Sequence, residues 1–93
     1  MFIGVLTVEL HIPDSGSLKS KRSVVKGLKD RIRSRFNVSV AEVGGNELWQ
    51  RATIGIASVS GDRGHAGEVL DKVMDLIRSN TSAEIIDYRI EIF

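Results

Sequence analysis

The chain contains no cysteine, one proline and few aromatic residues: three Phe, one Trp and one Tyr. Without thiols there is no disulfide scaffold, no thiolate zinc site and no cysteine nucleophile, which fits a reducing compartment without requiring one. No stretch approaches the roughly 20 apolar residues that a membrane span requires. Residues Met1 to Leu10 lack the basic start and cleavage site of a signal peptide. A soluble cytoplasmic protein with no membrane partner is the expectation. A net charge of +1 carries no message about partners by itself.

What is present fits one small domain spanning residues 1–93. A chain of this length buries about two-thirds of the surface that its unfolded form exposes, which leaves room for one modest core and none for a large cofactor domain. No cofactor is expected.

Phe2, Leu6, Val8, Leu10 and Ile12 share one parity, with Thr7, Glu9 and His11 on the other, the period of a half-buried first strand. Pro13, Asp14, Ser15, Gly16 and Ser17 are turn residues, and Ser17 is an N-cap for a helix that begins at Leu18. In that helix Val25, Leu28, Ile32 and Phe36 recur every three or four positions and form one apolar face. A second strand is predicted from Val38 to about Val43. Gly44 to Glu47 then turn the chain into a third strand, Trp49 to Val59. Ala66, Val69, Leu70, Val73, Met74 and Ile77 mark a second helix, about His65 to Ser79, capped by Asp62 or a neighbour. Ile86, Tyr88, Ile90 and Ile92 alternate with Asp87, Arg89 and Glu91 in a final strand.

The order βαββαβ closes most readily into an α+β, ferredoxin-like sandwich: a four-stranded antiparallel sheet, order 4-1-3-2, with both helices on one face. The uncovered face would carry Ile3, Val5, Thr7, Glu9 and His11, then Arg51, Thr53, Gly55 and Ala57, and finally Asp87, Arg89 and Glu91. Its apolar end, formed by Ile3, Val5, Gly55 and Ala57, suits a two-fold contact with a second copy.

The charge pattern is sharper. Lys19, Lys21, Arg22, Lys26, Lys29, Arg31, Arg33 and Arg35 place eight of the thirteen basic residues on the first helix, against the single acid Asp30. Lys19, Arg22, Lys26, Lys29 and Arg33 step by three and four into one stripe able to track phosphates. Cations in a first turn oppose the helix dipole by roughly 0.3–1 kcal/mol each. Lys19, Lys21 and Arg22, with Gly16 and the Ser17 cap, therefore describe an anion site rather than a stabilising arrangement. Lys21 also falls in line with Val25, Leu28 and Ile32, where snorkelling at a helix end would account for it. The second helix carries Glu68, Asp71 and Asp75 instead.

Other chemistry finds little support. His11 beside Asp14, Ser15 and Ser17 is a sequence neighbourhood, whereas a triad is defined by geometry. Two distant histidines have no metal-ligand spacing. The glycines match no phosphate loop. An acylphosphatase-like hydrolase shares the expected fold, but its first loop holds a phosphate-binding Arg, and Pro13 to Ser17 contain none. No catalytic residue is assigned. Trp49 and Arg51 on the third strand could form a stacking platform, yet with Phe2, Phe36 and Tyr88 in the core no paired aromatics remain for the central strands.

His11, Ile12 and Pro13, then Ser17, Leu18, Lys19, Ser20, Lys21 and Arg22, followed by Val24, Val25 and Leu28, resemble the signature of the YlxP-like family of small bacterial proteins. Phe36 to Glu42, with Trp49 and Gln50, fit the same pattern, so the resemblance spans essentially the whole chain. It implies a ferredoxin-like fold and no established reaction. Genes of that family often lie near those for transcription and ribosome-maturation factors, which suggests RNA or a ribosomal subunit as partner by association. The sequence reading is thus a non-enzymatic RNA-directed factor gripping phosphates with Gly16, Ser17, Lys19, Lys21, Arg22, Lys26, Lys29 and Arg33. A homodimeric scaffold or regulatory module working through the open sheet is its rival, and the hydrolase is a third reading.

Overall fold

A computed structural model describes residues 1–80 and 82–93. The elements run β1 (Phe2–His11), α1 (Leu18–Arg35), β2 (Ser39–Gly44), β3 (Arg51–Ser60), α2 (Arg63–Arg78) and β4 (Glu84–Ile92). The strands form one antiparallel sheet in the order β2-β3-β1-β4, which is the expected order read from the other edge.

Alternation explains β1. Leu6, Val8, Leu10 and Ile12 are fully buried against the helices, and the residues between them face the open side. From β3, Ala52, Ile54 and Ile56 join them, while α2 adds Leu70, Val73, Met74 and Ile77 and α1 adds Val25, Leu28 and Ile32. Each large aliphatic side chain buried in this way contributes about 1.5–3 kcal/mol. Ser17 caps α1 by accepting from the Ser20 amide at 3.1 Å. Asp62 caps α2 by accepting from the Gly64 amide at 2.9 Å.

Three expectations are revised. The turn after β2 is longer than four residues, because the Leu48 amide donates to the Gly45 carbonyl at 2.9 Å and the chain rejoins the sheet only at Arg51. Trp49 therefore lies in a loop and not on β3. In β4 the alternation is interrupted: Asp87 pairs with Glu9 but Ile85 pairs with Leu10, so Ile86 is bulged out and exposed while Ile85 takes the inward place. Tyr88 is not a core residue. It lies opposite Val8 on an edge strand and keeps 44% of its surface exposed, covered by the Arg78 guanidinium 5.5 Å above its ring.

Candidate nucleic-acid interface

The α1 helix buries Lys21, Val25, Leu28 and Ile32. One position further along at each step come Arg22, Lys26, Lys29 and Arg33, which a rotation of about 100° places beside the buried face. Lys19, Arg22, Lys26 and Arg33 are exposed and Lys29 is half-buried. On the other flank Arg31 and Arg35 are exposed as well. The stripe seen in the sequence is therefore a real surface, but one further predicted anion contact is not part of it.

Lys21 turns inward. Its side chain is completely buried, and its Nζ donates to Glu42 Oε2 at 2.8 Å and to the backbone carbonyls of Gly45 at 2.9 Å and Asn46 at 3.2 Å. The Arg51 carbonyl lies 3.5 Å away. This corrects its assignment as an anion contact, since an ammonium with three close oxygen partners has no donor left for a phosphate. Glu42 is the inward-facing member of β2 that makes the burial possible, and its position 21 residues away gave no local signal.

The remaining predicted residues divide by partner. Lys26 donates to Asp30 at 2.7 Å. Arg33 lies 3.7 Å from Asp30 and donates to the Val40 carbonyl at 2.9 Å, covering part of the free edge of β2. Among the described residues Lys19, Arg22, Lys29, Arg31 and Arg35 have no acidic partner. The Lys26 hydrogen bond, aided by the nearby Arg33 and Lys29 charges, holds the Asp30 carboxyl below its ordinary value. Gly16 is exposed, and the Ser17 hydroxyl is engaged as the cap. On α2, Glu68, Asp71 and Asp75 are exposed, but so are Arg63, Lys72 and Arg78, so the second helix is mixed in sign and only α1 is strongly basic.

Two loops meet at the start of α1. Gln50 Nε2 donates to the carbonyls of Pro13 at 3.2 Å and Ser15 at 3.3 Å, and the Ile12 amide donates to the Gln50 carbonyl at 2.8 Å. Lys21 fastens the same loop from the helix side. Leu48 and Trp49 sit on it with 53% and 56% of their surfaces exposed.

The opposite face of the sheet is open. Val5, Ala41, Val43, Gly55 and Ala57 line a shallow apolar trough of about 310 Å³ on it. Along β4 the face carries Asp87, Arg89 and Glu91, and at the far end Arg51 lies 3.7 Å from Glu9 and His11 lies 3.4 Å from Glu84. His11 is thus joined to a sheet-edge carboxylate rather than to Asp14 or Ser17. Among the described residues no group of three or more His, Asp or Glu is placed to hold a metal ion, and no helix is long and apolar enough to cross a membrane.

Over 91 residues the chain is 41% identical to the uncharacterized protein YlxP of Bacillus subtilis (strain 168), covering 98% of this chain and 99% of the relative. Residues 3–90 match the family model described as a protein of unknown function, DUF503. With the fold, the α1 signature and this full-length match in agreement, the chain belongs to the DUF503, YlxP-like family.

Proposed function

We propose that this chain is a non-enzymatic, cytoplasmic RNA-binding factor, directed to ribosomal or other structured RNA, that contacts phosphates through the outer surface of α1. The observation that carries this reading is the set of cations on one helix that have no acidic partner among the described residues, Lys19, Arg22, Lys29, Arg31 and Arg35. A helix built only for stability would interleave acids at i+4 and place them in the first turn, and α1 has none there. Lys26 and Arg33 hold Asp30 at the surface, where ion pairs are weak and exchange readily for phosphate.

The test is a titration against ribosomal subunits and a generic structured RNA at low and physiological salt. About five phosphate contacts give a log–log salt slope of roughly −3 to −5. Affinity that ignores salt, or that survives Lys19→Ala with Arg22→Ala, would remove the proposal.

A second reading rests on the open sheet. Four strands of up to ten residues present a footprint of about 600 Å², close to the roughly 800 Å² per partner of a standard interface. Its apolar part, with Ile3, Val59 and Phe93 exposed beside the trough, and its mixed-sign β4 margin fit a second copy of this chain. The two readings coexist, because α1 lies on the other face.

A further inference from the structure

The RNA reading uses α1 alone and leaves one feature unexplained. Trp49 is the only tryptophan of the chain, and more than half of its surface is in water. Its loop is not slack. Lys21 Nζ holds the Gly45 and Asn46 carbonyls, the Leu48 amide closes the turn onto Gly45, and Gln50 is bonded to Ile12, Pro13 and Ser15. An indole kept exposed by a fastened loop is available for a contact, because its large apolar surface would otherwise favour burial.

The fastening points place this loop at the beginning of α1, the end of the basic stripe that carries Lys19 and Arg22. The acids of this region, Asp14 and Glu47, are exposed on the loops themselves. The loops therefore contribute little attraction for phosphate, and what the β2–β3 loop offers is a ring.

We infer that Trp49 stacks on an unpaired base of RNA whose flanking phosphates are taken by Lys19 and Arg22. This rests on the RNA reading of α1 and adds the class of ligand to it: single-stranded rather than duplex RNA. Cations alone bind both. A tryptophan ring cannot stack on the bases inside an A-form helix, because their faces are already stacked on one another and the grooves show only their edges. An unpaired base offers its π face without that obstacle, whatever its identity. The buried Lys21 then acts as a positioning residue, since it holds the loop that carries the ring.

The test compares a short oligouridine with an RNA duplex of equal phosphate count, using the intact chain, Trp49→Ala and Trp49→Phe. Binding is read by anisotropy of the labelled RNA, and in the unmodified chain by emission of the single tryptophan. Oligouridine is expected to quench that emission. Trp49→Ala should weaken oligouridine binding roughly 5- to 100-fold while leaving the duplex little changed, and Trp49→Phe should recover most of the loss. Salt-sensitive binding of both RNAs with no effect of Trp49→Ala would overturn the inference and leave the α1 reading standing. No binding of either RNA would overturn both. Emission that ignores RNA but shifts with protein concentration would assign Trp49 to self-association instead. A fall in unfolding midpoint that tracks the lost affinity would make the residue structural and sink the proposal.

Discussion

Lys21 Nζ lies 2.8 Å from Glu42 Oε2 in a pocket where the lysine has no exposed surface, tying the first turns of α1 to the inward face of β2. The two residues lie 21 positions apart in the chain, and the ammonium holds the carbonyls of Gly45 and Asn46 as well. Removing the cation leaves a largely buried carboxylate uncompensated and takes a donor from the Gly45 and Asn46 carbonyls, of which Gly45 keeps the Leu48 amide. Lys21→Met should cost about 3–5 kcal/mol in denaturant unfolding. Glu42→Gln keeps an acceptor and should cost about 1–3 kcal/mol. The double variant Lys21→Met, Glu42→Leu should lose less than the sum of the corresponding single changes, and strict additivity would show that the two groups do not interact.

Lys19 and Arg22 should behave in the opposite way. Both are exposed in the first turns of α1, where cations oppose the helix dipole. Lys19→Ala with Arg22→Ala should leave thermal stability equal or slightly raised while RNA affinity falls and its salt slope becomes shallower by about two. A variant that unfolds would make these cations structural.

Asp30 is the one acid of α1, and the Lys26 ammonium holds its carboxyl below the ordinary value of 3.8. A carboxyl lowered on folding adds stability above its unfolded pKa and loses it as pH falls through the folded one. Relative to the unmodified chain, Asp30→Asn should therefore be slightly less stable at neutral pH, and the difference should close as pH falls below 3.8. The same change releases Lys26 and Arg33, so RNA affinity should rise. Weaker RNA binding by Asp30→Asn would contradict the phosphate role of this surface.

The course of β1 and both helices was legible because local rules govern them: the alternation from Leu6 to Ile12, the three-and-four spacing of Val25, Leu28 and Ile32, and the Ser17 and Asp62 caps. What escaped the sequence depends on distant partners. The helical position of Lys21 placed it on the buried face, but only the fold brings Glu42 and the Gly45 carbonyl to its ammonium. Trp49 reads as a strand residue until the turn closed by Gly45 and Leu48 carries it clear of the sheet. Tyr88 keeps its inward phase, yet an edge strand gives it only Arg78 for cover. Ile86 loses its phase to a bulge that no neighbouring residue announces. The outward cations of α1 were readable, but their partners were not, because Arg33 reaches the Val40 carbonyl across the β2 edge.

Val43, which lines the trough on the open sheet, and Val59 beside it are both exposed. Val43→Asp with Val59→Asp would put charge into a surface that a second copy must desolvate, at a cost of several kcal/mol for unpaired buried charges. Sedimentation should show self-association of the unmodified chain and a monomer for the variant, with similar unfolding of each monomer because both positions face water. An unmodified chain that stays monomeric at high concentration would remove the sheet-to-sheet contact.

Gly45 and Gly27 make a matched pair, since the same substitution should have opposite signs at the two positions. Gly45 adopts φ = 72°, and a Cβ there would come within 3.1 Å of the Arg51 carbonyl oxygen. The left-handed backbone costs an L-residue about 1–2 kcal/mol before that contact is counted. Its own carbonyl accepts from both Lys21 Nζ and the Leu48 amide, so displacement would loosen the loop that carries Trp49. Gly27 lies inside α1 with open space where a Cβ would go. Gly27→Ala should raise stability by about 0.5–1 kcal/mol, because alanine has less backbone freedom to lose on entering a helix. Gly45→Ala should lower it by at least about 1–2 kcal/mol and change the Trp49 emission maximum, which Gly27→Ala should leave alone. A Gly45→Ala variant with unchanged stability and an unchanged Trp49 emission maximum would mean that the Gly45 turn does not anchor the Trp49 loop.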